Sequence, residues 1–231
     1  MKNHIMIPGL AMSTKYTYRI KAYNESGSSD WYEETATSVG LQKNFITAYI
    51  SADTMVRKQN SSTNYGALNY IEISGANSYL WGGLGEPSLS YGLLLFDLPV
   101  LPKYAVDFNS AYFYMYDADS GNASYNVPID IYAGLTLDPW KENTVTWDNR
   151  PGTFLSDKDG PLAHTLKGPD DAYNHVESIK MDISRLASYW YSGEYPNYGL
   201  MLFTKSDNIF WDFYSKEIAP EATSLEVYYT W

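Results

Sequence analysis

Carboxylates and aromatic rings are the groups this sequence supplies in quantity for chemistry or recognition. The 231 residues carry 27 Asp and Glu, 23 Tyr and 7 Trp, against 16 Lys and Arg, 3 His and no Cys. Without cysteine there is no disulfide framework, no thiol nucleophile and no Cys-based zinc site. His4, His164 and His175 show no short metal-ligand spacing and lie beside no nucleophile motif, which removes most hydrolase designs. Paired carboxylates do acid–base work only when a cleft holds them and their environments push their pKa values apart. Among so many acids, pairs arise by chance, and the conspicuous ones have structural roles to hand. Glu217 has a partner in Arg57, and Asp97 ends a strand where it can accept backbone N–H groups. No His, Lys or Ser motif supports any of them, so no catalytic residue is assigned.

A hard cation has two candidate sites. Asp117-Ala118-Asp119-Ser120-Gly121-Asn122 sets side-chain oxygens at alternate positions before a glycine, as Ca²⁺ coordination favours. It lacks the downstream bidentate Glu of an EF-hand, and the same residues make an ordinary hairpin turn. The second candidate joins Asp53 to Asn64 and Gly66, on the analogy of β-sandwich modules that brace such loops with Ca²⁺. No cofactor is required; Ca²⁺ is the one these residues could hold.

Sugar recognition needs an exposed ring for the apolar face of a pyranose and polar groups for its hydroxyls. Trp81, on a Gly-rich stretch with Tyr79, is the first candidate, because a ring among glycines has little core to fill. Trp211, alternating with apolar neighbours, is read either as outward-facing or as core. Arg57, Lys58 and Arg150 are the cations best placed for an acidic sugar, whereas Trp140, Trp147 and Trp190 are assigned to packing.

Short segments of period-2 patterning must position these groups. Gly92 to Pro99 is a near-continuous apolar run whose length suits a strand buried on both faces. Around it lie Tyr70–Ile73, Ala111–Tyr116, Val127–Ile131, Glu177–Ile183, Gly199–Phe203 and Ser224–Thr230, each bounded by turn formers. The fold class is therefore all-β, most simply a two-sheet antiparallel sandwich. One short helix is expected between Asp182 and Gly193, with Ser184 as its cap, and Ser74–Pro87 and Ser156–Asp171 read as loops. A net charge of -11 disfavours nucleic acid and anionic membrane as partners, leaving room only for a local basic pocket. No segment approaches the roughly 20 apolar residues of a membrane span, and no h-region opens the chain, so any signal peptide would lie outside it.

Two resemblances add to this reading. Leu10, Tyr16 to Tyr23 and the Asn24-Glu25-Ser26-Gly27 turn resemble the last strands of a fibronectin type III domain, implying a partial domain over residues 1–40. Asp53-Thr54-Met55-Val56-Arg57, Asn64-Tyr65-Gly66, Gly92 to Leu98, Trp140 to Pro151 and Phe213 to Glu217 together resemble the DNRLRE domain family, over residues 45–231. That family is related to carbohydrate-binding modules, some of them alginate-binding, of secreted and surface proteins. The resemblance implies a non-catalytic, jelly-roll-like β-sandwich, extracellular or at a cell surface, holding a polysaccharide near other domains of a larger chain. A structural or adhesive spacer without glycan binding is the alternative, and the two differ in whether aromatic rings lie exposed together over a groove.

Overall fold

Strand-forming residues in alternating register build nearly all of this chain, and the computed structural model describes residues 10–11, 13–38, 42–78, 88–102, 107–116, 118, 129–156, 158–167, 178–207, 210–221 and 223–230. A small unit comes first. Strand β1 (Lys15–Ile20) pairs antiparallel with β4 (Tyr32–Thr37), and the two-residue strands β2 (Tyr23–Asn24) and β3 (Gly27–Ser28) close a hairpin between them. Its turn is set by the Asn24 side chain, which accepts the Ser26 N–H at 3.0 Å, and by Gly27 at φ 137°. The Ala11 N–H donates to the Tyr16 hydroxyl at 2.8 Å. Almost nothing in this unit is buried: Tyr23 is 74 % exposed and Trp31 58 %.

The remaining strands form one continuous ten-stranded antiparallel system folded into two layers. They are β5 (Lys43–Arg57), β6 (Tyr70–Ser78), β7 (Ser88–Phe96), β8 (Asp107–Tyr116), β9 (Ile129–Leu135), β10 (Leu162–Lys167), β11 (Ser178–Asp182), β12 (Leu200–Phe203), β13 (Phe210–Tyr214) and β14 (Ser224–Thr230). The first sheet runs β11-β8-β14-β5 and the second β5-β7-β12-β9-β10, with β6 beside β7 and β13 beside β6. Strand β5 belongs to both. Its first half pairs with β14 and its second half with β7, and the register shifts between Ile50 and Ala52, where a bulge bends the strand from one layer into the other.

Alternation fills the space between the layers. Ala111, Phe113 and Met115 of β8 and Leu225 and Val227 of β14 point inward, against Leu94, Phe96, Ile131, Ala133, Leu200 and Leu202 of the second sheet. Strand β7 is also buried on its other side. There Leu93 joins Val56, Val145 and Met201 in a smaller cluster roofed by Tyr91, Trp140 and Trp147. The apolar run expected at the centre is thus central, although its strand spans residues 88–96 rather than 92–99.

Helix α1 (Ser184–Ser192) lies where expected and buries Leu186, Ala187 and Trp190, ending at Gly193 in the left-handed region at φ 77°. Its cap differs from the expected one. Ser184 is already helical, Ile183 holds the cap position, and Asp182 Oδ1 accepts the Ser184 N–H at 2.9 Å. Two expected loops also contain strand. Strand β10 occupies 162–167 within the stretch read as a loop, because it is an edge strand whose polar His164 and Thr165 mask the alternation, and β6 runs on to Ser78. Among the described residues, no helix is long and apolar enough to cross a membrane.

Candidate functional site

The residues expected to meet a sugar or a cation scatter. Tyr79 and Trp81 lie outside the described residues, as do Asp117, Asp119 and Asn122. Trp211 is a correction: it is 1 % exposed, stacked on Phe213 at 5.3 Å, and fills the core from β13. Arg57 is a second. Its Nη2 lies 2.9 Å from Glu72 Oε2, its Nε reaches Ser90 Oγ at 3.4 Å, and its side chain is 12 % exposed, so this cation is spent inside the fold. Its expected partner Glu217 instead meets Lys216. Lys58 is exposed on the 3-10 turn Lys58–Asn60. Asn64 braces the loop: its Nδ2 donates to the Glu142 and Val145 carbonyls at 2.7 Å each, while Oδ1 accepts the Gly66 N–H.

Asp53 sits at a junction of four chain segments. Its Oδ2 accepts the Lys216 N–H at 2.8 Å, and its own N–H donates to Glu142 Oε1 at 3.0 Å. The Lys216 ammonium lies 2.9 Å from Glu142 Oε1 and 2.5 Å from Glu217 Oε1. Asp53, Glu142 and Glu217 each offer an oxygen within 4.8 Å of the others, the kind of cluster a divalent ion favours, but Lys216 already supplies the positive charge among them. Burial pushes the Asp53 carboxyl up to about 7, and the Glu217 and Glu142 charges push the same way, against the Lys216 amide and ammonium. For Lys216, burial works against the charged form, and hydrogen bonds to Glu217 and Glu142 overcome it to hold the ammonium above its ordinary range. The junction ties β5, the 136–153 segment and the turn after β13 together, and Asn64 adds the β5–β6 loop.

The solvent side of the second sheet is different in kind. Four strands contribute one row of rings there. Trp147 lies 5.1 Å from Tyr91 of β7, Tyr91 is 6.0 Å from Phe203 of β12, Phe203 stacks on Tyr132 of β9 at 5.5 Å, and Tyr132 stacks on His164 of β10 at 4.5 Å. Register makes the row: Phe203 faces Tyr132 across β12–β9, and Tyr132 faces His164 across β9–β10. Phe203 is buried beneath the others, Trp147, Tyr91 and Tyr132 are half-buried, and His164 is exposed.

Two cations sit on this row. The Arg150 guanidinium is 4.0 Å from the Trp147 ring centre and donates from Nη1 to the Trp147 carbonyl at 2.6 Å, and the Lys205 ammonium is 4.0 Å from the Tyr132 ring. His164 Nε2 lies 2.8 Å from Asp130 Oδ1. Beside Tyr91, a groove of about 320 Å³ is lined by Arg150, Pro151, Gly152, Thr153, Leu155 and Met201, a size suited to one small ligand unit. Burial pushes the Tyr91 phenol up, with Arg150 offsetting part of it, so the hydroxyl stays a protonated donor. Guanidinium, ammonium and phenol donors beside half-buried ring edges can meet the oxygens of a carbohydrate.

Sequence reasoning found Arg150 but placed Trp147 in packing only, and missed Tyr91, Tyr132, His164 and Lys205. The outward phase of Tyr132 between buried Ile131 and Ala133 was a usable signal, while the cross-strand register was not.

A β-sandwich with a ring-lined, cation-bordered face suits a carbohydrate-binding module. Residues 44–229 match carbohydrate-binding module family 96, and the chain belongs to that family. No curated protein matches the chain.

Proposed function

We propose that this chain is a non-catalytic module that holds a polysaccharide on the outer face of its second sheet, outside the cell or at its surface, as part of a larger multidomain protein. The ring row Trp147–Tyr91–Phe203–Tyr132–His164, with Arg150 and Lys205 set against it, carries the reading. Cations resting on rings favour a sugar that brings carboxylates, since a uronate can engage guanidinium or ammonium while its ring lies along the half-buried aromatic edges. The surrounding charge of -11 repels a polyanion at a distance, so attraction is local to this face. Tyr79 and Trp81, before β7, stay part of the proposed glycan-binding set. The carboxylates that cluster among the described residues, Asp53, Glu142 and Glu217, are bound up with Lys216, which supports holding a glycan rather than cleaving one. The Ala11-to-Tyr16 hydrogen bond, which closes a tyrosine corner, supports the fibronectin type III origin of residues 1–40 and a boundary before residue 45.

Affinity electrophoresis in gels containing polygalacturonate, alginate or neutral glucans tests the site. Retardation by an acidic polymer, reduced about tenfold in Arg150→Ala, is expected. A folded protein that no polymer retards would make the chain a structural or adhesive spacer.

A further inference from the structure

The opposite outer face, on the first sheet, carries a second cluster of rings and charges that the proposed site leaves unused. Tyr112 and Tyr114 of β8, Tyr228 of β14, Phe45 of β5 and Lys180 of β11 all point outward, in the phase opposite to the buried Phe113, Met115, Val227 and Ile179. Glu226 stands among them. Its Oε2 accepts both phenol protons, from Tyr114 at 2.9 Å and Tyr228 at 2.8 Å. Lys180 Nζ lies 4.0 Å from the Tyr112 ring centre, and Phe45, 49 % exposed, stacks on Tyr228 at 5.4 Å.

The hydrogen-bond direction decides what this face accepts. Both phenols spend their protons on Glu226, and Lys180 donates to the Tyr114 oxygen, so the Tyr228 oxygen and Glu226 Oε1, which makes no hydrogen bond among the described residues, are the acceptors left for a visiting group. Oxygen acceptors therefore lie at the middle of the cluster, with the Lys180 ammonium over the Tyr112 ring beside them. Hydroxyl groups satisfy such a surface, because each can donate to a carboxylate or phenol oxygen and accept from the lysine. Carboxylates, sulfates and phosphates have no proton to give and would face Glu226 directly. The exposed Phe45 ring supplies the apolar contact that a pyranose face needs.

We infer that the first sheet carries a second carbohydrate site, for a neutral, hydroxyl-rich polysaccharide, formed by Phe45, Tyr112, Tyr114, Tyr228, Lys180 and Glu226. It rests on the reading of the chain as a glycan-holding module but not on the position of the first site. The two faces stand on opposite sides of packed sheets, whose layers alone are about 10 Å apart. A chain lying on one face does not reach the other, so the module would join two polysaccharides rather than grip one twice.

Electrophoresis in galactomannan, mixed-linkage β-glucan and polygalacturonate gels, with wild type, Phe45→Ala, Glu226→Gln and Arg150→Ala, tests this. The expected result is neutral-polymer affinity reduced at least fivefold in Phe45→Ala and in Glu226→Gln, unchanged within twofold in Arg150→Ala, with polygalacturonate showing the converse. Phe45 is half exposed and Glu226→Gln keeps the side-chain shape, and matching near-UV circular dichroism checks that both variants fold. The inference is overturned if wild type binds no neutral polymer, or if both face variants bind it as wild type does. Loss of neutral binding in these variants without any acidic binding would keep this site and remove the first. A monomer–dimer shift by analytical ultracentrifugation, abolished in Phe45→Ala with no glycan bound, would overturn it in favour of a second copy of the chain.

Discussion

Asp53 illustrates how one side chain sets a condition on the whole fold. It is 1 % exposed, and burial among other acids raises its carboxyl to about 7. A carboxyl whose pKa is higher folded than unfolded gives a contribution that is full below about pH 4 and lost as pH rises through its folded value. Thermal stability is therefore expected to fall between pH 5 and pH 8, and Asp53→Asn should flatten that slope in differential scanning fluorimetry. Glu217 contributes in the opposite sense: Lys216 and Ser215 overcome its burial and hold it low, so its share is lost only on acidification below the ordinary glutamate range. The interval from pH 5 to pH 8 thus separates Asp53 from Glu217, and the comparison with Asp53→Asn assigns the slope. The buried Arg57–Glu72 pair makes a second residue-scale prediction. Arg57→Ala removes the guanidinium facing a carboxylate that is 2 % exposed and should cost about 3–5 kcal/mol in urea unfolding.

At the scale of elements, strands β7 and β12 are fixed by two glycines. Gly199 lies at φ +94°, and a Cβ there would press against the Leu94 carbonyl, so β12 can enter beside β7 only without a side chain at this point. Gly199→Ala is expected to lower stability by about 1–3 kcal/mol, read as a shifted urea midpoint at unchanged slope. A Cβ on Gly92 would come 3.1 Å from Ile71 Cγ2, a milder crowding that a small repacking relieves. The sequence showed most of these elements, because β8 and β14 alternate buried with more exposed residues, while β12 and the core of β7 are short apolar runs buried on both faces. It showed β10 poorly, since an edge strand with His164 and Thr165 has little apolar alternation to betray it. The candidate site was less legible for a related reason. Tyr91, Tyr132 and His164 are far apart in the chain and strand register brings them into one row, which Trp147 joins from the segment between β9 and β10.

Over the whole molecule, burial is unevenly divided. Among the described residues, the buried apolar ones lie within residues 43–230, while the β1–β4 unit exposes Ile20, Tyr23, Trp31 and Tyr32. A two-stranded unit without a core is marginal in water. Limited chymotrypsin digestion is expected to cut first at Tyr23, Trp31 or Tyr32, leaving a resistant fragment from about Lys43 onward, identified by intact mass. Cuts within β8 or β14 at the same enzyme dose would contradict this division of stability.

The pairing of β5 with β14 has a further consequence. Lys43, where the sandwich is entered, stands opposite Thr230, where it is left, about 5 Å away. In a string of domains such a unit hangs to one side like a pendant, adding bulk and binding surface but almost no length. Tension along the string would open it one backbone pair at a time from Lys43 and Thr230 inward, so it should yield under a small load and act as a weak link that spares its neighbours.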